Sequence, residues 1–308
     1  MTNSGGIVAR GLARSFGTVH AVTDISFTAE PGRVTGLIGP NGSGKTTLML
    51  MLASLLRPDA GQVLISGIDP TLDAEGVRAR MGWMPDALGS WSVLTVRSAL
   101  ETTGRLYRMD RVRAAERASE LLSLVGLAQL ADQPTRVLSR GQKQRLSLAR
   151  ALVHDPEVLL LDEPASGLDP IARLDLQRLV RGMAAEGKTV LISSHVLAEL
   201  DDMADDAVYV ADGATASVER VAQARSSSRL WRIRAAEREP LRAALVHHGD
   251  GPVRDDRGDL LVPVASEAAA ADLLRALVAA DLSISVFAPA VGDLEHTFLD
   301  LNRTADNA

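Results

Sequence analysis

Eight consecutive residues, Gly39-Pro40-Asn41-Gly42-Ser43-Gly44-Lys45-Thr46, fill the pattern G-x-x-x-x-G-K-[ST] at every fixed position. They lie between an apolar run, Val34–Ile38, that reads as a buried strand, and a stretch from about Lys45 that reads as a helix. A strand, a glycine loop and a helix in that order constrain the chain to an α/β layer. The glycines let the backbone curl until successive N–H groups point inward as an anion nest, and the helix adds the positive end of its dipole. Such a nest suits a polyphosphate. Residues Gly39 to Gly44 with Thr47 would cradle it, Lys45 would reach its outer phosphates, and the Thr46 hydroxyl would ligate Mg²⁺. A plain glycine turn before a helix is the bland alternative, but it does not call for the Lys-Thr pair.

The rest of the chain extends that α/β pattern to about Gly213. Glu157–Leu161 and Thr189–Ser193 are continuous apolar runs of the kind buried inside parallel sheets. Helices are expected over 96–107, 111–125 and 139–153, and another after Asp169-Pro170, an N-cap followed by proline at the first helical position. No block repeats, so one such domain is expected over residues 1–215. Residues 216–229, with the triplet Ser226-Ser227-Ser228, read as a linker. Over 230–308 the order β-α-β-β-α-β predicts a small α+β, ferredoxin-like domain, closed by an amphipathic piece at Leu294–Leu299.

Two carboxylates, Asp162 and Glu163, end the apolar run beginning at Val158. Side chains of adjacent strand residues point in different directions, so one carboxylate can hold Mg²⁺ while the other orients an attacking water. Alone, the pair reads equally as a solvated strand end. His195 follows the strand Thr189–Ser193 at its C-terminal end, where open α/β sheets place ligands. A neutral imidazole there could stabilise charge on a γ-phosphate. By position alone it is as readily a structural histidine.

Composition removes other classes. The 308 residues include no cysteine, which excludes disulfide scaffolds, thiol nucleophiles and zinc–thiolate sites. A net charge of −6 argues against a general nucleic-acid binder. No run reaches the roughly 20 apolar residues of a membrane span, and the N-terminus lacks the basic and apolar parts of a secretory signal. A cytoplasmic protein is expected, without direct membrane insertion. Three lysines among 33 basic residues, with abundant alanine, point to a GC-rich bacterial coding sequence.

Leu138-Ser139-Arg140-Gly141-Gln142 resembles the signature peptide of ATP-binding cassette (ABC) ATPases. With the Walker A loop at 39–46, the Walker B strand at 159–163, the D-loop Ser166-Gly167-Leu168-Asp169 and the switch His195, the whole set stands in family order. The resemblance covers roughly residues 7–213. It implies a P-loop NTPase cassette with a mainly parallel sheet core, an antiparallel N-terminal β part and a helical signature subdomain. It further implies ATP hydrolysis with Mg²⁺, using Lys45, Glu163 and His195 in catalysis and Thr46 and Asp162 at the metal. Phe16 falls where the family places a ring against adenine; a core phenylalanine is the alternative. Asp86 stands at the position of the family's Q-loop glutamine, where a shorter acidic group could reach the metal but not donate as an amide does. Arg140 replaces a glycine often found in the signature.

The resemblance also implies that two copies pack head to tail. Ser139, Gly141 and Gln142, with Asp169 of the D-loop, would then complete the ATP site of the other copy. The expected partner is a separate membrane permease, met through the segment from about Asp86 to Val96 and the helix after it, at the inner face of the membrane. The cassette with a small C-terminal domain resembles subunits of multidrug and antibiotic exporters of the daunorubicin-resistance type. The alternatives are a soluble ABC ATPase working on a ribosome or another macromolecule, and a ligand-sensing role for residues 230–308.

Overall fold

All five residues of the apolar run Val34–Ile38 are buried in a strand. It pairs in parallel with a strand on each side, so both its faces lie in protein and no polar alternation marks it. The computed structural model describes residues 5–305, other than 88, 90, 91 and 250. They divide into two compact units, Met1–Ala216 and Ser217–Ala308.

The first unit begins with the antiparallel pair β1 (Ile7–Phe16) and β2 (Val19–Ala29), followed by β3 (Val34–Ile38), α1 (Lys45–Leu52) and β4 (Ala60–Ile65). Next come α2 (Ala74–Arg80) and β5 (Met81–Met84). A helical section follows, made of α3 (Val96–Leu106), α4 (Arg111–Leu124) and α5 (Arg140–Ala151). The chain then returns through β6 (Val158–Asp162), α6 (Pro170–Ala185), β7 (Thr189–Ser193), α7 (Leu197–Met203), β8 (Asp206–Ala211) and β9 (Ala214–Thr215). One sheet collects all nine strands in the order β4-β1-β2-β9-β8-β3-β7-β6-β5. Its β8-β3-β7-β6-β5 half is parallel, and β1 pairs antiparallel with both β2 and β4. Leu37, Leu48, Met49, Leu160 and Leu191 belong to one buried cluster, which fixes α1 against the strands.

Local chemistry sets where the section's helices begin. Thr95, Asp110 and Ser139 each accept a hydrogen bond from the amide three residues on, at the N-termini of α3, α4 and α5. Caps of this kind are each worth about 1 kcal/mol. Buried Leu100, Leu121, Leu122 and Leu146 then give the section its apolar interior.

The second unit contains α8 (Val218–Ser226), β10 (Arg229–Ala235), α9 (Arg238–His248), β11 (Arg254–Asp256), β12 (Asp259–Val264), α10 (Glu267–Ala279), β13 (Ile284–Pro289) and α11 (Asp293–Ala305). Its four strands are antiparallel in the order β11-β12-β10-β13, the ferredoxin-like arrangement. Ile233, Leu245, Leu260, Val262 and Leu277 are central to its own core. The stretch 216–229 corrects the expectation of a linker. Most of it is α8, capped by Ser217 and paired with α11, and Ala224 is buried. The serines that suggest loose chain in the sequence instead end the helix: the Ser227 hydroxyl donates to the Ala224 carbonyl at 2.9 Å. The closing amphipathic piece is likewise longer than Leu294–Leu299, since α11 spans Asp293–Ala305.

Candidate nucleotide site

Two glycines dictate the shape of the loop after β3. Gly44, the N-cap of α1, has φ +100, and a Cβ there would stand 2.4 Å from the Ala21 carbonyl. At Gly39 a Cβ would stand 2.3 Å from the Val210 carbonyl and 2.6 Å from Ser43 Oγ. Any larger residue at either position would push the loop away from β2 and β8. The loop then borders a cavity of about 270 Å³. Asn41, Gly42, Gly44, Lys45, Thr46 and Thr47 line it. Asp86, Asp162 and Glu163 line it too, with Ala21 of β2.

The Lys45 ammonium donates to the carbonyls of Gly39 at 2.7 Å and Pro40 at 3.0 Å. Burial lowers its pKa from the ordinary lysine value, while Glu163 and Asp162 pull it back up. Asp162, at the end of β6, is buried. Burial raises its pKa above the ordinary carboxylate value, and nearby Glu163 and Asp86 add to the rise. The Ser193 hydroxyl opposes this by donating to Asp162 Oδ1 at 2.6 Å. So one half-buried cation faces three carboxylates, an arrangement short of positive charge.

Glu163 sits in the left-handed region, φ +51, uncommon for a residue with a side chain. Its surroundings over-determine that conformation. The Glu163 amide donates to Ser193 Oγ at 3.1 Å, and its carbonyl accepts from Gln144 Nε2 of α5 at 2.8 Å. Its carboxylate lies 2.6 Å from His195 Nδ1. His195 is exposed, and its ring holds Glu163 from the solvent side. A strained, fixed carboxylate beside an imidazole can orient a water and take its proton.

Whether Mg²⁺ suits this cavity is decided by the donor set. Among the described residues, no three His, Cys, Asp or Glu side chains converge closely enough to hold a metal by themselves. Mg²⁺ does not need such a cage, because it usually binds through one or two protein oxygens together with phosphates and waters. The Thr46 hydroxyl and the charge-deficient Asp162 are hard oxygen donors of that kind. Ser43 Oγ is also buried in the loop without a protein partner, as expected of a cradle that is completed by a ligand. The residues fit the ion.

The remaining candidates lie elsewhere. Ser139 and Gln142 are engaged with each other at the start of α5. Gln142 N donates to Ser139 Oγ at 3.2 Å, and Ser139 N donates to Gln142 Oε1 at 2.9 Å. Gly141 packs close to the Gly167 carbonyl, and Arg140 donates to Ser166 Oγ at 2.8 Å, which ties signature to D-loop. Asp169 caps α6 by accepting from Ala172 N at 2.9 Å, which holds its carboxyl below the ordinary value. None of these residues borders the cavity. Phe16 is 48% exposed, which removes the reading of a core phenylalanine. It stands at the end of β1, on the hairpin whose Ala21 lines the cavity. Two contributors, Ser193 and Gln144, were not anticipated. A buried serine at a strand end and a polar residue on the inner face of α5 were the only signals.

Comparison with known proteins places this geometry. The family model described as "ABC transporter" matches residues 22–166. The daunorubicin resistance ATP-binding protein DrrA3 of Streptomyces coeruleorubidus is 40% identical over 199 residues, 65% of this chain and 63% of that protein. The chain thus matches less than two thirds of that relative's length. The ABC transporter ATP-binding protein NatA of Bacillus subtilis strain 168 is 34% identical over 196 residues, 63% of this chain and 80% of NatA. Among solved structures, cbiO1 from Clostridium perfringens, part of the transporter complex cbiONQ, is 26% identical with a TM-score of 0.62, covering 70% of this chain and 88% of that one. The dimeric structure of the bacterial cassette MJ0796 matches with a TM-score of 0.64 at 24% identity, over 68% of this chain and 97% of its own, a likeness of fold. With its phosphate loop, paired carboxylates and signature helix in one unit, this chain belongs to the ABC transporter family.

Proposed function

We propose that the chain is the ATPase subunit of a membrane exporter, working as a head-to-tail pair that hydrolyses ATP to drive a separate permease. One observation carries this reading: the charge-deficient cavity and the signature lip are separate in one chain, and neither is sufficient alone. The cavity offers Lys45, Thr46, Asp162 and Glu163 to a polyphosphate. The lip offers the N-terminus of a twelve-residue helix, where Ser139 and Gln142 cap one another. A second copy turned head to tail would bring each lip over the other cavity, with Ser139, Gly141, Gln142 and Asp169 facing the nucleotide.

In that assembly the loop amides and Lys45 hold the β- and γ-phosphates, and Phe16 stacks on the adenine. Thr46 and Asp162 would hold Mg²⁺, with Asp86 lining the same cavity, and a bound ion would supply charge neutralisation on the phosphates. Glu163, fixed by Ser193 and Gln144, orients the attacking water and receives its proton. His195 stays bonded to Glu163 and meets the γ-phosphate as negative charge develops there. Loss of that phosphate removes the contacts joining the two copies, and they separate.

The permease docks where α3, α5 and β5 leave a groove of about 370 Å³. Leu55, Trp83, Leu106 and Tyr107 line it with apolar surface, and Arg78 and Arg150 line it with charge. Leu88, Ser90 and Trp91 of the expected docking segment lie outside the described residues. No helix among the described residues is long and apolar enough to cross a membrane, so another polypeptide supplies the span at the inner face. The name of DrrA3, a daunorubicin resistance protein, supports a drug-like or hydrophobic cargo, and Nod factor export ATP-binding proteins among the relatives support an export direction. The unit 217–308 serves as an accessory or regulatory domain.

A Glu163→Gln protein is the test of the pair. With ATP and Mg²⁺ it should elute as a dimer and hydrolyse at least about a hundredfold more slowly than the parent. A monomer at saturating ATP would refute the head-to-tail reading.

A further inference from the structure

We propose that Arg14 is a positioning residue for the nucleotide base: it backs one face of the Phe16 ring and leaves the other face to adenine. This rests on the reading of Phe16 as the adenine platform. Arg14 and Phe16 are two apart near the end of β1. The guanidinium carbon lies 4.9 Å from the centre of the ring. Behind it, Arg14 Nη1 donates to Asp59 Oδ1 at 2.6 Å and to the Arg57 carbonyl at 3.3 Å. The other oxygen of Asp59 accepts from Ser15 N at 2.7 Å, so one carboxylate clamps two consecutive residues just before the ring.

Asp59 is exposed and the Arg14 side chain 26% exposed, and a pair so reached by solvent contributes little to stability, so stabilising the fold is a weak account of this cluster. The cluster does account for a guanidinium held against the ring. An exposed phenylalanine at the end of a strand samples several rotamers, and a base landing on it must stop that motion. A guanidinium held on one face removes the freedom before the base arrives. The cation also draws on the ring's π-electrons, and a ring so polarised stacks better on an electron-rich base. Phe16 is half exposed and Ala21 of the same hairpin lines the cavity, so the uncovered part of the ring belongs to the hairpin that borders the site.

The reading separates base from phosphates, and so does its test. ATP and inorganic tripolyphosphate, each with Mg²⁺, are titrated by calorimetry into the full chain and into Arg14→Met, Arg14→Lys, Asp59→Asn and Phe16→Ala. Methionine keeps the stem of Arg14 without its charge. Arg14→Met should weaken ATP about two- to fivefold and leave tripolyphosphate unchanged. Arg14→Lys should recover part of the loss, and Asp59→Asn should fall between Arg14→Met and the parent. Phe16→Ala should weaken ATP alone, by about tenfold. If Arg14→Met lowers both ligands together, Arg14 is merely structural; if it lowers neither while Phe16→Ala lowers ATP, the ring needs no backing. Either result overturns the proposal and spares the platform. A Phe16→Ala protein that binds ATP like the parent overturns the platform itself, and the proposal with it. Should Arg14→Met fail to fold, Asp59→Asn makes the same comparison.

Discussion

Two buried aspartates, Asp162 at the end of β6 and Asp259 at the start of β12, are treated in opposite ways by this molecule. Asp259 lies 2.5 Å from Arg234 Nε and 3.6 Å from Arg232 Nη1, and the hydrogen bond from Arg234 holds its carboxyl below the ordinary value. Asp162 has a serine hydroxyl as its close partner and two further carboxylates for neighbours, and its carboxyl is pushed up. A buried carboxylate that serves the fold is neutralised by the fold. One left short of positive charge is expected to obtain it from outside, and the first unit places this one beside a phosphate-binding loop. The contrast separates a structural ion cluster from a reaction centre without reference to conservation.

Exchanging the cations should break that contrast most visibly. Lys45→Ala is expected to weaken ATP binding about a hundredfold by calorimetry, because charge-assisted contacts to the outer phosphates disappear. Arg234→Ala should leave ATP affinity within about twofold of the parent, since its charge is committed to Asp259. Equal losses in the two proteins would erase the distinction.

A smaller effect tests the support beneath Asp162. Ser193→Ala removes the bond to Asp162 and one to the Glu163 amide, and should slow ATP turnover about tenfold. The same change should lower the stability of the first unit by about 1–2 kcal/mol in denaturant titrations. Turnover at the parental rate would mean that the left-handed Glu163 does not need this clamp.

Neutralising each aspartate sharpens the comparison further. Without nucleotide, Asp162→Asn should leave the first unit unchanged or up to about 1 kcal/mol more stable, because a poorly compensated buried charge is gone. It should at the same time abolish the extra protection that ATP with Mg²⁺ confers. Asp259→Asn should loosen β10 and β12, read as faster hydrogen exchange there, and leave nucleotide binding alone.

The smallest effect is in the pH dependence, and its sign differs between the units. A carboxyl raised on folding binds more protons in the native state, so Asp162 adds stability as pH falls through its raised value and withdraws it as pH rises. A lowered carboxyl does the reverse: the contribution of Asp259 is present above the ordinary carboxylate range and is lost as pH falls toward its folded value. Between about pH 6 and pH 3, Asp162→Asn should therefore steepen the acid destabilisation and Asp259→Asn should flatten it. Slopes changing in the same direction would contradict the assignment of the two environments.

Much of this was legible in the chain itself. The apolar run Val34–Ile38, the residue pattern of the loop to Thr46, and the caps Ser139 and Asp169 are each written in a few consecutive residues, so their chemistry can be read in order along the sequence. Asp162 and Glu163 were recognisable as a pair for the same reason. The ferredoxin-like second unit was readable from its element order, because three short connections leave such a chain few ways to pair its strands. The tertiary structure alone decided who stands beside whom. Ser193 lies under Asp162 because β7 is inserted between β3 and β6, and Gln144 reaches the Glu163 carbonyl because α5 folds back over that strand end. Residues 216–229 became a helix because α11, some seventy residues later, offered a face to pack on. Arg14 found Asp59 through the pairing of β1 with β4. Periodicity and capping act over a few residues and are written in the sequence; contacts across a sheet depend on strand order and register, which only the closed fold fixes.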